Sequence, residues 1–322
     1  MPELTLLAID DPLAPYLKLL AQLPDGVRII VGREAEFFES GIGEADVVFA
    51  GLNTAGLVRQ LWPRAGRLRW IHSLAAGVEG FLFPELVESP IPLTNARGVF
   101  RRSLAEFALA AALHFAKDLR RMTRSQQAGV WDSFDVEELH GKTMGIAGYG
   151  EIGRAVAELA RAFGMRVLAL RRRPELCGAD PLVDAAFRPD QRVEMIAQCD
   201  YLAVSSALTP QTRGLVGAAE IAAMKPGAVL INVGRGPVVD EAALVEALRA
   251  GRIRGAALDV FNTEPLPAGH PFYSLENVLL SAHCADHTPG WLEMAMQCFI
   301  GNFHRFTRGE ALDNVVDKRQ GY

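Results

Sequence analysis

One stretch restricts this chain more than any other: Thr143-Met144-Gly145-Ile146-Ala147-Gly148-Tyr149-Gly150-Glu151-Ile152-Gly153. An apolar run that reads as a strand, Thr143–Ala147, leads into G-x-G-x-x-G. A helical pattern follows over Ile152–Phe163, then a second strand over Arg166–Leu170. Each glycine has a physical task in such a βαβ unit. Gly148 makes the tight turn, Gly150 lets the backbone approach a pyrophosphate, and Gly153 lets the helix pack closely on the strand. Exposed N–H groups and the positive end of the helix then hold the anion. Alone, the motif also suits a plain strand-to-helix turn, but here the strand, the helix and the second strand all match.

The same rhythm runs through the rest of the chain. Short apolar runs, each closed by Gly, Asn, Asp or Ser, alternate with helical patterns. Strands are expected at Leu4–Ile9, Val27–Val31, Val47–Ala50, Trp70–Ser73 and Ile91–Thr94, enough for one parallel sheet before residue 100. A second series runs from Thr143–Ala147 through Arg166–Leu170, Tyr201–Ser205, Val229–Val233, Gly255–Leu258 and Val278–Ser281. Continuous apolar runs such as Val229-Leu230-Ile231 imply strands covered on both faces. The length, 322 residues with 50% apolar content, supplies two cores at roughly 150 residues per domain. The expected fold class is therefore α/β with two doubly wound, Rossmann-like parallel sheets. Between the two series, Leu104, Phe107, Ala108, Ala111, Phe115, Leu119 and Met122 recur at helical spacing. They predict one long helix over Ser103–Thr123, with Ser103 and Glu106 as its capping box. A last helix is expected at Trp291–Phe306.

Composition removes several classes of function. A net charge of −5 repels phosphate backbones and anionic membranes, so neither nucleic acid nor a membrane is an expected partner. Cys177, Cys199, Cys284 and Cys298 lack C-x-x-C or zinc-ligand spacing, so neither a disulfide framework nor a metal site is expected. The start, Met1-Pro2-Glu3-Leu4, lacks the basic region of a secretory signal. The longest apolar stretch, Leu104–Ala116, carries Glu106 and His114 and is too short to span a bilayer. The expectation is a soluble, cytoplasmic protein.

Three segments place a charged side chain just past a late strand, where open α/β sheets gather ligand-binding groups. They are Asn232-Val233-Gly234-Arg235-Gly236, Asp259-Val260-Phe261-Asn262-Thr263-Glu264-Pro265 and Ser281-Ala282-His283. Singly, Arg235 suits a surface ion pair, Glu264 a turn and His283 a buried structural histidine. Placed together beside a dinucleotide motif, they suggest a division of labour. Arg235 binds and polarises an α-keto acid, His283 gives or takes the proton, and Glu264 holds the histidine ring. His72, His114, His140, His270, His287 and His304 share no spacing and read as structural or exposed.

The ordered series Gly148-Tyr149-Gly150-Glu151-Ile152-Gly153, Leu208-Thr209-Pro210-Gln211-Thr212-Arg213-Gly214, Met224-Lys225-Pro226-Gly227, Asn232-Val233-Gly234-Arg235-Gly236, Asp259-Val260-Phe261 with Glu264-Pro265, and Ser281-Ala282-His283 resembles the D-isomer-specific 2-hydroxyacid dehydrogenases. That family includes glyoxylate/hydroxypyruvate reductases and phosphoglycerate dehydrogenases. The resemblance implies a cofactor domain, residues 98–286, inserted into a discontinuous substrate domain, residues 1–97 and 287–322, with the active site in the cleft between. It puts the catalytic roles on Arg235, Glu264 and His283. Cofactor contacts are implied for Gly148, Gly150, Glu151, Ile152, Gly153, Arg171, Arg172, Ser205, Ser206, Val233, Gly234, Arg235, Asp259 and His283. Ala76, Gly77 and Val78, with Arg235, are implied to bind substrate, the loop Ala75–Glu79 resembling the family's carboxylate-binding turn. The long helix near residue 103 resembles the family's dimer-forming element, implying a homodimer. The implied reaction is hydride transfer between a nicotinamide cofactor and a small D-2-hydroxy acid or 2-oxoacid. Dinucleotide-sensing corepressors and formate or phosphite dehydrogenases share this fold and are the alternatives; the retained Arg235, Glu264 and His283 favour the reductase.

Two departures from the family pattern stand out. After His283 the chain reads Cys284-Ala285-Asp286-His287, where relatives often have a small or glycine-containing turn. The second strand of the dinucleotide unit ends in Arg171-Arg172-Arg173-Pro174, with its first acid at Glu175. NAD-binding units usually place a carboxylate there for the ribose 2′-hydroxyl. Guanidinium groups instead suit a 2′-phosphate, so NADP(H) is expected to be favoured over NAD(H).

Overall fold

The computed structural model describes residues 4–322; the Met1-Pro2-Glu3 start lies outside them. Two compact units are present, 4–99 with 289–322, and 100–288. In the first, strands β1 (Leu4–Ile9), β2 (Val27–Gly32), β3 (Val47–Ala50), β4 (Trp70–Ser73) and β5 (Leu93–Asn95) form a parallel sheet in the order β2-β1-β3-β4-β5. Helices α1 (Ala55–Leu61) and α2 (Pro84–Glu88) lie between strands.

The second unit opens with α3 (Arg101–Ala116) and α4 (Leu119–Ala128). It continues through β6 (Thr143–Ala147), α5 (Glu151–Ala162), β7 (Arg166–Leu170), β8 (Ala185–Phe187), α6 (Arg192–Ile196), β9 (Tyr201–Val204) and α7 (Ala218–Ala223). β10 (Val229–Asn232), α8 (Glu241–Arg249), β11 (Gly255–Leu258) and β12 (Val278–Leu280) complete it. The sheet is parallel, in the order β12-β11-β10-β9-β6-β7-β8. The order reverses between β6 and β9, the kind of position where such sheets open a ligand crevice beyond their carboxyl ends. Val229, Leu230 and Ile231 are wholly buried in β10, as a strand covered on both faces requires.

The chain returns to the first unit through α9 (Trp291–Arg308). Its apolar stripe covers one face of the five-stranded sheet: Phe299 stacks on Trp70 at 5.4 Å between centroids and packs against Phe49 at 4.9 Å. Within that contact Trp70 Nε1 donates to Thr94 Oγ1 at 2.8 Å, and His72 Nδ1 lies 2.7 Å from the same oxygen. His72 is fully buried, and desolvation pushes its pKa down from 6.5 to about 3. Its Nε2 and the Ser73 hydroxyl are buried without a hydrogen-bond partner among the described residues.

Two expectations are corrected. The helix predicted over Ser103–Thr123 is two helices, broken where Asp118 takes a left-handed φ of +47° and accepts a hydrogen bond from Arg121 N at 3.3 Å, capping α4. Apolar spacing runs across the break because Leu119 and Met122 keep the period although both are exposed. Ser103 caps nothing: the residue before α3 is Phe100, and the Ser103 hydroxyl, inside the helix, donates to Ala285 O at 2.5 Å. The three-residue strand β8, absent from the sequence reading, pairs with β7 in register, Leu170 opposite Phe187. Among the described residues no helix is long and apolar enough to cross a membrane.

Candidate active site

The glycine loop joins β6 to α5 beside the topological reversal. Gly148 has a φ of +102°, and a Cβ there would come within 2.6 Å of Ser206 N. On Gly153 a Cβ would collide with the Gly148 carbonyl, so the helix packs onto the loop only because that position is bare. Gly150 faces open space, as approach of a phosphate demands. The first intrahelical bond runs from Arg154 N to Gly150 O at 2.8 Å, which leaves the N–H groups of Glu151, Ile152 and Gly153 at the helix start for an anion. The Glu151 carboxylate turns to Arg101 Nη1 at 3.1 Å. Ser205 and Ser206 brace the loop, donating to Gly148 O at 2.8 Å and Ala147 O at 2.9 Å.

At the end of β7, Arg171 N donates to Phe187 O at 3.1 Å, and its guanidinium Nη1 meets Cys177 Sγ at 3.7 Å. No carboxylate among the described residues pairs with Arg171. The nearby Asp180 is occupied by Tyr149 OH at 3.0 Å and Arg154 Nε at 3.1 Å. Together, the left-handed turn, the bare Gly150, the helix start and the basic end of β7 fit a phosphorylated dinucleotide.

The adjacent strands β10, β11 and β12 hand their ends to the ionisable groups. After β10, Asn232 accepts from Gly234 N at 3.1 Å and donates to Arg235 O at 3.1 Å, fixing the Val233-Gly234 turn. One Arg235 guanidinium donor goes to Gly234 O at 2.8 Å. Past β11, Glu264 works with both oxygens: Oε1 accepts from Phe261 N at 2.8 Å, and Oε2 lies 2.6 Å from His283 Nδ1. A carboxylate at that distance puts the imidazole proton on Nδ1 and leaves Nε2 as the outward nitrogen. His283 has a left-handed φ of +51°, and the turn behind it is held from two sides. Buried Asp259 accepts from Cys284 N at 3.0 Å and Ala285 N at 3.1 Å, while Ser103 reaches Ala285 O. Burial raises the Asp286 carboxyl above its usual range.

The structure thus brings Arg235, Asp259, Glu264 and His283 to neighbouring strand ends in the unit that also carries the glycine loop. Ala75–Glu79 belongs to the other unit. There it follows β4 as a half-buried turn in which the N–H groups of Ala76, Gly77 and Val78 meet no acceptor among the described residues. Sequence reasoning passed over Asn232 and Ser103 as working residues. An asparagine two residues before Gly-Arg-Gly was the available signal for the first; nothing local pointed to the second.

Residues 109–285 match the family described as D-isomer specific 2-hydroxyacid dehydrogenase, NAD binding domain. The chain is 34% identical to a glyoxylate reductase of Thermococcus gammatolerans over 80% of its own length and 79% of that protein's. It is 32% identical to the D-3-phosphoglycerate dehydrogenase of Methanocaldococcus jannaschii over 96% of its own length, but spans only 59% of that longer protein. A D-isomer specific 2-hydroxyacid dehydrogenase from Xanthobacter autotrophicus, crystallised with NADPH and MES, superposes with a TM-score of 0.86. That match is at 30% identity and covers 99% of this chain and 100% of the other.

Proposed function

The chain belongs to the D-isomer-specific 2-hydroxyacid dehydrogenase family, and on that premise we propose that it reduces a small 2-oxoacid of the glyoxylate or hydroxypyruvate type, with NADP(H) preferred over NAD(H). The observation that carries this reading is the 2.6 Å pair of Glu264 and His283 at the strand ends beside Arg235 and the glycine loop.

The nicotinamide, when bound, supplies the hydride. The chain's own residues do the rest. Arg235 offers a planar guanidinium to the substrate's carboxylate and carbonyl oxygens, drawing electron density from the carbon to be reduced. With Nδ1–H held by Glu264, the doubly protonated ring of His283 gives its Nε2 proton to the forming alkoxide and is left as the neutral Nδ1–H imidazole, while the Glu264 contact keeps Nε2 aimed. Asp259 fixes the backbone behind His283. Gly148, Gly150 and Gly153 with the start of α5 hold the pyrophosphate, and Val233 and Gly234 border the cofactor. Ser205 and Ser206 serve by holding the loop. Arg171 and Arg172 clamp the 2′-phosphate; the missing carboxylate at the end of β7 supports this. The N–H groups of Ala76, Gly77 and Val78 take the substrate's carboxylate, a reading supported by their having no acceptor among the described residues. The 100–288 unit is then the cofactor-binding part, and the other unit binds substrate.

We also propose a cytoplasmic homodimer. Leu119, Met122, Val130 and a 99% exposed Trp131 are exposed apolar side chains on α4 and its exit, as a contact with a second copy would use, and the four unbridged cysteines suit a reducing compartment. A single-chain mass by sedimentation would contradict the dimer. The direct test of function is a panel of glyoxylate, hydroxypyruvate, pyruvate and phenylpyruvate with each reduced nicotinamide. Turnover with at least one of these acids, faster with NADPH, is expected; no turnover with any would overturn the reading.

A further inference from the structure

The turn after β4, built of Ala75, Ala76, Gly77 and Val78, carries no polar side chain of its own, yet neighbouring groups hold its backbone. Asn95, the last residue of β5 and buried to 5% exposure, donates from Nδ2 to Ala76 O at 2.6 Å. Its Oδ1 accepts from Arg97 N at 3.3 Å, which settles which end of the amide faces the turn. Ala96 N adds a bond to Ala75 O at 3.3 Å. The main chain of Asn95 is fastened in turn: Asn314, at a left-handed φ of +56°, donates to Asn95 O at 3.3 Å and Arg97 O at 2.9 Å, and Val316 N donates to Leu93 O at 2.8 Å. The polar side chain of Asn95 therefore rises from a fixed base.

A trans peptide places its C=O and N–H on opposite sides of the C–N bond. Holding Ala76 O toward Asn95 consequently points the Gly77 N–H the other way, where it meets no acceptor among the described residues. A carbonyl that accepts a hydrogen bond also polarises its peptide and strengthens the N–H as a donor. We infer that Asn95 is a positioning residue for substrate binding: its side-chain amide, by holding Ala76 O, aims the Gly77 N–H at the carboxylate of the 2-oxoacid. The inference rests on the proposed role of Ala76–Val78 and adds the residue that makes the turn competent.

The experiment compares Asn95→Asp, Gly77→Pro and the double variant in the full-length chain, reading KM for the best 2-oxoacid, kcat, and the dissociation constant of NADPH. Asn95→Asp keeps the shape and faces Ala76 O with an oxygen; Gly77→Pro removes the N–H itself. Asn95→Asp is expected to raise KM for the 2-oxoacid about 10-fold with kcat and NADPH binding little changed. The double variant should then be no worse than Gly77→Pro alone. If Asn95→Asp fails to fold, Asn95→Ala, which leaves a small gap in place of a repelling oxygen, is expected to show the same rise in KM. A KM rise for Gly77→Pro alone would overturn the role of Asn95 and leave the carboxylate turn standing. No KM rise in any variant would overturn both. Parallel losses in KM, kcat and NADPH binding would reduce Asn95 to a structural residue.

Discussion

In the 100–288 unit the ends of β10, β11 and β12 give way to side chains with chemistry of their own: Arg235, Asp259, Glu264 and His283. In the other unit the end of β4 gives way to Leu74-Ala75-Ala76-Gly77-Val78, whose only polar groups are peptide bonds. Both use the carboxyl edge of a parallel sheet, where backbone dipoles and loops converge. One equips that edge with acids and bases, the other with bare N–H groups steered by an asparagine on the next strand. Proton transfer needs a titratable side chain, whereas holding a carboxylate needs only well-aimed donors. The difference predicts that damage in the first unit's turn weakens binding, and that damage at the strand ends of the second removes chemistry.

The largest expected effect follows from that contrast. His283→Ala should lower kcat by about 10²–10⁴-fold while NADPH binding, measured by fluorescence titration, barely moves. A near-normal kcat would remove His283 from the mechanism and erase the contrast. Arg235→Lys keeps the charge but loses the planar fork, so kcat/KM should fall about 10- to 100-fold, the worth of a charge-assisted hydrogen bond or two. Unchanged KM and kcat would show that Arg235 does not touch substrate.

A third prediction separates the units by acid. His72 lies in the five-stranded unit, and burial holds its pKa at about 3 against 6.5 for a free imidazole. The unfolded chain therefore takes up this proton first, and the stabilisation present above pH 6.5 drains away as pH falls toward 3, by up to about 1.4 kcal/mol per pH unit. His72→Phe should flatten that slope in denaturant midpoints measured between pH 6.5 and 4. An identical slope in the variant would mean that other groups govern acid sensitivity. The smallest effect concerns the cofactor: Arg171→Ala with Arg172→Ala should erase the preference for NADPH in kcat/KM while leaving NADH turnover nearly intact. A double variant that still preferred NADPH would place the 2′-phosphate elsewhere.

The same contrast explains what could be read from the residues alone. The placement of the glycine loop, Arg235, Glu264 and His283 just past strand ends was legible because residue identity and spacing from an apolar strand carry it. Asp259 was legible as a polar residue past β11. Its two bonds to Cys284 N and Ala285 N were not, since they depend on how a distant loop folds back. Ser103 misled because Ser-x-x-Glu before an apolar run reads as a helix start, whereas here the helix begins two residues earlier and the hydroxyl serves Ala285. The break at Asp118 was hidden by apolar residues that keep the helical period while facing solvent. β8, three residues long, is set by pairing with β7 rather than by any pattern of its own.

The central claim, reduction of a 2-oxoacid to the D-hydroxy acid, is tested most directly by product stereochemistry. The full chain is incubated with NADPH and the best 2-oxoacid of the panel that yields a chiral product, and the hydroxy acid is resolved on a chiral column. Formation of the D-isomer alone, mole for mole with NADPH consumed, is the predicted result. Product of the L-configuration or a racemate, or NADPH consumption without hydroxy acid, would contradict it.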